Sequence, residues 1–502
     1  MNGRNEPWRE ELRKTLTPKQ RTAIPRAVMP EIPVDYRIKV DTEVVQGLSV
    51  EQAVLEATRC LDCPDPGCVK GCPVHNDIPG FIKNVERRRF RDALAVLRRT
   101  TVLPAVCGRV CPQEKQCEGS CTYMKMNKRP VAIGSLERFV ADNERLNLHE
   151  PKMEPVALSP LSVKIAVVGS GPSGLAFAGD MARRGFKVTI FEAMSWLGGV
   201  LKSGIPKFCL PNYVVNYEIE HLQKMGVEMV TDCRVGEDIT YEQLVHNGYK
   251  GIYVATGAGK PRFMDIPGED LPQVLSAQDY LVGYNQAYCK KSIGFSLREL
   301  EGKTVAIIGG GNTAMDAVRA AIRSGAKRTL VVYRRSREEM PARLNEVKHA
   351  EAEGAELMPL TNPLEYLADE HGNLRAMLVQ RMELGEPDES GRRKPVPIEG
   401  ALEEIPVDMV VVSVGFFPNP PLSLPGQLQL TMQGRIVVDE ESMKSANPAI
   451  YAGGDVVRGP STVILAMGDG RRAADSMTKA FQRLIDRTEL QDTPTASGYT
   501  PE

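Results

Sequence analysis

Several absences bound this 502-residue sequence before any motif is read. No apolar run is long enough to cross a bilayer. The longest, residues 409–417, is interrupted by Ser413 and Gly415, where a span needs ~20 residues. Residues 1–17 lack the apolar core of a signal peptide. An oxidising compartment is therefore not expected, and the chain reads as soluble and cytoplasmic. An excess of one charge sign is also missing. Formal net charge is -1 with 25% charged residues, which leaves no overall field for nucleic acid or a membrane surface. Finally, Cys209, Cys233 and Cys289 stand alone, so disulfide reduction by a second dithiol is not expected.

What is present is cysteine crowded into one place. Eight of the eleven cysteines fall between positions 60 and 121. The first run reads C-x2-C-x4-C-x3-C-P (Cys60, Cys63, Cys68, Cys72, Pro73). The second reads C-x3-C-P-x4-C-x3-C (Cys107, Cys111, Pro112, Cys117, Cys121). Core packing does not explain such spacing. Bacterial ferredoxins use a C-x2-C-x2-C-x3-C-P run whose fourth cysteine serves a second cluster. Here the middle gap is longer, but the x3-C-P tail is kept and Cys-Pro recurs at Cys111-Pro112. The pattern predicts two [4Fe–4S] clusters. Structural zinc is one alternative, although all-cysteine zinc sites usually show two C-x2-C pairs and one exists here. Disulfides are the other. By the ferredoxin rule Cys72 leaves Cys60, Cys63 and Cys68, which then take a fourth ligand from the second run. Counting alone completes the other cluster with Cys107 beside Cys72, Cys111 and Cys117.

Length suggests about three domains at ~150 residues each, and the chain divides readily. Residues 1–45 are mixed, basic from Arg13 to Arg21 and at Arg26, and broken by Pro25, Pro30 and Pro33. They read as a solvated arm, with a partner-docking segment as the alternative. Ser49 and Gln52 predict a capped helix that delivers the chain into Cys60. Residues 78–86 and 90–97 predict two amphipathic helices with an Arg-rich outer face. A Pro-bearing linker follows at 150–160. Next, residues 163–168 predict a buried strand, directly followed by Gly169-Ser-Gly171-Pro172-Ser173-Gly174, a helix to Arg184, and a strand ending in Glu192. This is G-x-G-x-x-G in its required setting. Gly169 makes the turn, Gly171 admits a pyrophosphate, Gly174 lets helix and strand pack closely, and Glu192 can accept from a ribose hydroxyl.

The motif recurs as Gly309-Gly-Gly311-Asn312-Thr313-Ala314 after a strand at 304–308. Its next strand ends in Tyr333-Arg334-Arg335-Ser336-Arg337 instead of an acid. Arginines there suit a 2′-phosphate, so the second site is expected to take NADP(H); a merely solvated loop is the alternative. Residues 251–257, which contain Ala255, Thr256 and Gly257, read as a strand ending in a glycine turn. Tyr451-Ala-Gly453-Gly454-Asp455 reads as a strand presenting an acid beside glycines, or a turn cap. From Thr462 a helix is expected to about residue 484, its N-terminus available to an electron-rich ring.

These residues resemble a known family. The fold implied is α/β: a two-dinucleotide-binding-domain flavoprotein with FAD and NADP Rossmann-like domains, preceded by an α-helical ferredoxin-like iron–sulfur domain. The words RCLDC, GCPVHNDIPGFI, LPAVCGRVCPQEKQCEGSC, SGIPKF, GGGNTAMD, YRRSREEMP and YAGGDVVRGPSTVILAMGDGRRAA resemble the NADPH-dependent glutamate synthase small (β) subunit family. They are also similar to the large subunit of the bifurcating NADH-dependent ferredoxin–NADP oxidoreductase and to the amino-terminal half of dihydropyrimidine dehydrogenase. The domains expected are 1–150, iron–sulfur; 151–275 with 426–502, FAD; and 276–425, NADP(H).

The resemblance implies hydride transfer from NADPH to FAD, then single electrons through the clusters to a larger partner subunit, with no catalytic side chain. It places Gly198 and Gly199 near the flavin pyrophosphate and Gly204, Ile205 and Pro206 near its ring. Val235 and Gly415 join the cofactor-binding positions. It assigns Cys121 to the cluster of Cys60, Cys63 and Cys68. For the other cluster it replaces Cys107 with an oxygen ligand sixteen residues past the last cysteine, here Glu137. The partner implied first is the glutamate synthase large subunit, since this chain has no room for a glutaminase or an FMN barrel. A ferredoxin-linked transhydrogenase or related complex is the alternative: CPVHN leans to the former, IPGED and EMPA to the latter. A reading of another class is a non-catalytic scaffold, against which the two dinucleotide fingerprints argue.

Overall fold

The computed structural model describes residues 3–146, 163–286, 296–389, 391–421 and 427–491, with side chains described as far as residue 482. The expected linker at 150–160 and Cys289 lie outside the described residues. Three short helices open the chain, α1 (Pro7–Thr15), α2 (Pro18–Ala23) and α3 (Val34–Arg37). They correct the expectation of a solvated arm. Arg9, Arg21 and Arg37 are buried: Arg9 pairs with Asp62, Arg21 with Glu86 at 2.8 Å and Arg37 with Glu353 at 2.9 Å. Arg13 and Arg26 are tied to Asp62 at 2.6 Å and Glu118 at 2.7 Å. A guanidinium on a long apolar stem can be buried wherever a carboxylate meets its fork.

The cysteine-rich domain continues with α4 (Val50–Thr58), which starts at the expected cap. Ser49 Oγ accepts from the Gln52 amide at 3.2 Å, and Gln52 Oε1 accepts from the Ser49 amide at 2.9 Å. A single turn, α5 (Gly67–Lys70), leads to α6 (Ile78–Glu86), α7 (Phe90–Arg98), α8 (Pro104–Val110) and α9 (Ile133–Leu146). Helices α8 and α9 touch at their backbones, since a Cβ on Gly108 would lie 2.5 Å from the Arg138 amide nitrogen. That contact brings Glu137 on α9 against the cysteines of α8.

Two parallel sheets follow. The first has the order β15–β4–β1–β2–β3, from β1 (Lys164–Val168), β2 (Lys187–Phe191), β3 (Glu228–Val230), β4 (Tyr249–Val254) and β15 (Ile450–Ala452). Strands β1 and β2 expose their first residue and bury the other four, as a sheet covered on both faces requires. One face is covered by α10 (Pro172–Arg183), α12 (Asn212–Lys224) and α18 (Val463–Gln491). The opposite face packs on α13 (Tyr241–His246) and α17 (Asp455–Arg458), and α11 (Val200–Ser203) forms one turn after Gly199.

The second sheet has the order β6–β13–β7–β8–β9, from β6 (Val274–Ser276), β7 (Thr304–Ile308), β8 (Arg328–Val332), β9 (Glu356–Met358) and β13 (Met409–Val412). Helices α14 (Ala277–Gln286), α15 (Asn312–Arg323) and α16 (Leu344–Glu353) cover one face. The other face packs on an antiparallel sheet of β10 (Thr361–Ala368), β11 (Leu374–Pro387) and β12 (Arg393–Pro406), which sequence reading did not single out. A ribbon of β5 (Ala258–Pro261) with β14 (Phe416–Pro418) joins the two units. Strand β6, at the expected boundary near residue 275, pairs in the second sheet.

One apolar core runs without interruption from Phe81 and Leu136, through Val102 and Val106, to Phe177, Leu222 and Met467. The cysteine-rich domain therefore shares its core with the first dinucleotide unit. Among the described residues no helix is long and apolar enough to cross a membrane.

Candidate functional site

Cys60, Cys63, Cys68 and Cys121 line one pocket beside Ile78 and Tyr123, with an empty volume, open solvent included, of about 390 Å³. Burial pushes the Cys60 thiol up to about 11. Burial raises Cys68 further, helped by the nearby Cys60, Cys121 and Cys63. Thiols raised like Cys60 and Cys68 give up their protons readily only to a cation, so metal binding here must expel them.

A second group gathers Cys72, Cys107, Cys111, Cys117 and Glu137. Burial raises the Cys72 thiol to about 11 and raises Cys117 as well, and both feel Glu137. Cys111 is raised by its hydrogen bond with Cys107 and by burial. Cys107 Sγ also lies 3.6 Å from Met467 Sδ and 3.8 Å from Thr101 Oγ1. Glu137 is buried and its Oε1 has no hydrogen-bond partner. Burial, then the charge of Glu218, raises its carboxyl to about 8. An unsatisfied buried acceptor costs about 1–3 kcal/mol, which a metal ion at this point would relieve. The residues present thus fit an iron–sulfur group here as well as in the first pocket.

At the carboxyl edge of the first sheet the expected turn is formed. Gly169 has φ 103°, and a Cβ there would lie 2.6 Å from the Ala255 carbonyl oxygen. A Cβ on Gly174 would run into the carbonyl of Gly169, whereas one on Gly171 would meet nothing within 4 Å. The helix α10 begins at Pro172, and Ser173 Oγ shares a 2.6 Å hydrogen bond with Tyr253. Glu192 ends β2 as expected, but its carboxylate is engaged within the protein. Oε2 accepts from Ser170 Oγ at 2.6 Å and from its amide at 3.0 Å, and Oε1 accepts from the Met194 amide at 2.9 Å. Ser170 Oγ in turn accepts from the Gly198 amide at 2.9 Å. The acid therefore fixes the loop at Gly198 and Gly199, which abuts Gly171.

Ala255, Thr256 and Gly257 follow β4 at this edge. Thr256 Oγ1 is buried without a partner, and a Cβ on Gly257 would meet open space. Gly454 touches Ser173. Asp455 Oδ1 accepts from Ser461 Oγ at 2.7 Å and from its amide at 3.1 Å, so this acid does cap a turn. Thr462 Oγ1 accepts from the Leu465 amide at 3.3 Å and caps α18. Gly204, Ile205 and Pro206 lie where the first unit meets α14: Asn285 donates to the Ser203 carbonyl at 3.0 Å. Val235 buries its side chain with Leu244 and Ile436 on the far face of the sheet, which leaves its backbone for any ligand. An open cradle and an orphaned hydroxyl fit a bound dinucleotide.

Sequence reasoning missed Asp469. It is fully buried on α18, accepts from the Gly454 amide at 2.9 Å, and pairs with Arg458 and Arg472. The signal was available as Gly468-Asp469-Gly470. A helix interior holds two glycines at a cost of about 1 kcal/mol each only where close neighbours need the room. Gly468 faces the Pro73 carbonyl, 3.2 Å from its would-be Cβ, and Gly470 faces that of Ser173.

The second turn repeats the first. Gly309 has φ 137°, and a Cβ on Gly311 or Gly415 would meet nothing within 4 Å. Ala314 is buried where the first unit has Gly174. Asn312 and Thr313 open α15, and Asn312 Oδ1 accepts from the Arg343 amide at 2.7 Å. The Arg343 side chain donates to the Arg109 carbonyl at 2.6 Å and Gln113 Oε1 at 2.9 Å, tying this unit to the cysteine-rich domain. The two arginines expected at a 2′-phosphate differ in setting. Arg334 is exposed, while Arg335 is buried, paired with Asp388, and donates to the Arg393 carbonyl at 2.9 Å.

Cys209, Asp316 and Glu346 place donor atoms within 4.8 Å of one another between the two units. Arg319 already supplies a cation there, pairing with Glu346 and donating to Cys209 Sγ at 3.3 Å. Burial, then Glu346, raises the Asp316 carboxyl to about 7.

Known proteins match this arrangement. A family model described as dihydropyrimidine dehydrogenase domain II, 4Fe–4S cluster, matches residues 37–148. Another, pyridine nucleotide-disulphide oxidoreductase, matches residues 130–251 and 163–470. The glutamate synthase [NADPH] small chain of Halomonas elongata is 36% identical over 454 residues, covering 89% of this chain and 94% of that one. The NADP(+)-dependent formate dehydrogenase subunit beta of Moorella thermoacetica is 39% identical over 447 residues, covering 85% and 61%. Among solved structures, Mycobacterium tuberculosis FprA in complex with NADPH shares the fold, with a TM-score of 0.54 at 22% identity over 65% of this chain and 86% of that chain. The chemistry is therefore NAD(P)H-dependent oxidoreduction in a flavin and iron–sulfur fold. Matched over most of its length by a curated small chain, this protein belongs to the family of the NADPH-dependent glutamate synthase small chain.

Proposed function

We propose that this chain is the electron-input subunit of a larger complex, carrying one FAD and two [4Fe–4S] clusters and oxidising NADPH. The chemistry these groups supply is hydride acceptance by the flavin and single-electron carriage by the clusters. The observation that carries the proposal is the contact between the two halves. Helix α18, capped by Thr462 and packed on Gly454 through Ala466, meets the cysteine-rich domain where Met467 Sδ lies 3.6 Å from Cys107 Sγ and Gly468 packs on Pro73. No solvent layer separates the flavin fold from the second cysteine group.

The chain's own residues bind and orient. Gly171 and Gly199 leave room for a pyrophosphate, Thr256 Oγ1 offers an unspent hydroxyl, and Glu192 holds Ser170 and Gly198 in position. Cys60, Cys63, Cys68 and Cys121 hold one cluster. Cys72, Cys111, Cys117 and Glu137 hold the other, on the strength of the unpartnered Glu137 oxygen. A carboxylate is a harder donor than a thiolate, so the two clusters should differ in potential. Gly311, Asn312, Thr313 and Arg334 receive NADP(H).

The partner we favour is the glutamate synthase large subunit, making glutamate from 2-oxoglutarate and glutamine in the cytoplasm, where thiols stay reduced. A second reading, a subunit of another NADP-linked complex, is favoured by the formate dehydrogenase relative. Anaerobic affinity purification from the source cell separates them. Stoichiometric recovery of a large subunit with glutaminase activity supports the first. Recovery of a different dehydrogenase subunit replaces it with the second.

A further inference from the structure

The antiparallel sheet of β10, β11 and β12 covers one face of the second unit. We infer that the tip of its β11–β12 hairpin belongs to the coenzyme site: Arg392 from the tip and Arg262 from the end of the ribbon join Arg334 in an anion pocket for the 2′-phosphate of NADP(H), with Asp388 fixing Arg335 at its floor. This rests on the reading of the second glycine turn as the NADP(H) site.

Three observations converge. First, β13, β7 and β8 are neighbours in the second sheet, so their carboxyl ends present Gly415, Gly309 and Arg334 along one edge. The Arg262 amide donates to the Gly415 carbonyl at 3.1 Å, which puts Arg262 at the same edge. Second, the hairpin tip is fastened there. The Asp388 amide donates to the Arg392 carbonyl at 2.7 Å and the Gly391 amide to the Asp388 carbonyl at 2.8 Å, closing the tip. Arg335, next to Arg334, then pairs with Asp388 and donates from Nε to the Arg393 carbonyl at 2.9 Å. Third, the group is crowded with like charge. Partial desolvation, then the charges of Arg335, Arg262 and Arg392, lower the proton affinity of Arg334, so those three guanidiniums lie close enough to act on it. Guanidiniums that converge on one place in this way suit a dianion that accepts several charge-assisted bonds.

The alternative is a hairpin charged only for solubility. Its outer strand is exposed enough for that, but solubility does not require Arg335 to be buried against the tip.

The test measures binding of 2′,5′-ADP and 5′-AMP to the purified FAD-loaded protein by calorimetry. Arg392→Gln and Arg262→Gln should each weaken 2′,5′-ADP by about tenfold, the lower end for a bond to a charged group. Binding of 5′-AMP should be unchanged, which also reports an intact fold. Arg392→Lys should recover part of the loss, and Arg375→Gln, on the same hairpin but paired with Glu404, should lose nothing. If Arg334→Gln weakens 2′,5′-ADP while Arg392→Gln and Arg262→Gln do not, the hairpin is no part of the site and the NADP(H) reading stands. If the unaltered protein binds both probes equally, the NADP(H) reading fails and this inference with it.

Discussion

Replacing Glu353 by glutamine tests how firmly the amino-terminal arm is fixed to the nucleotide-binding half. Glu353 ends α16 and is buried among three arginines. Arg319 and Arg323 of α15 hold it at 3.0 and 2.6 Å, and Arg37 of α3 reaches it at 2.9 Å. Burial alone would raise its carboxyl, but the hydrogen bonds and charges of Arg323 and Arg319 bring it down from 4.5 to about 2. A carboxyl depressed on folding adds stability above its unfolded value, and this is lost as pH falls through the folded one. The linkage amounts to about 3 kcal/mol at pH 7 and about 1 kcal/mol at pH 3. Glu353→Gln should therefore cost about 3–5 kcal/mol at pH 7, the range for breaking a buried pair and stranding its partners. Native-state hydrogen exchange of the α15 and α16 amides reads this locally, without assuming that the whole chain unfolds in one step. The cost should at least halve at pH 3. A loss under about 1 kcal/mol at pH 7, or one that does not shrink in acid, would refute the reasoning.

Three further outcomes are expected. Cys107→Ser should leave both clusters intact, whereas Glu137→Ala should shift or destroy the EPR signal of one while NADPH still reduces the flavin; the reverse pattern would assign Cys107 as the ligand. Gly171→Ala should fold at least as well as the parent, because φ there is -68° and a Cβ meets nothing within 4 Å. It should nevertheless retain less FAD, since the methyl fills the pyrophosphate's place, and full FAD retention would count against that assignment. Asp469→Asn should loosen the Gly454 turn by leaving Arg458 and Arg472 without their counter-charge. FAD affinity should fall about tenfold, the effect of one lost charge-assisted bond, and unchanged affinity would show that Asp469 serves only the fold.

The parts legible in the sequence were those whose chemistry is local. Both glycine turns, the Ser49–Gln52 cap and each of the two cysteine runs are set within about thirty residues, so one stretch carries each signal. The parts that escaped depend on partners far along the chain. Arg9, Arg21 and Arg37 look like surface residues until Asp62, Glu86 and Glu353 are beside them. Arg334 and Arg335 are adjacent in sequence, yet the hairpin tip some fifty residues on makes one structural and leaves the other open. Asp469 organises the Gly454 turn across fifteen residues of helix and loop, which no periodicity reveals.

The central claim is that NADPH electrons enter through the flavin and leave through two unlike clusters. An anaerobic NADPH titration of the iron-assayed protein, followed by absorbance and EPR, tests it most directly. The account predicts about eight irons and one FAD per chain, loss of flavin absorbance first, and then two EPR signals that titrate at different potentials. Stoichiometric zinc without acid-labile sulfide, or a flavin that bleaches while no cluster signal ever appears, would contradict it.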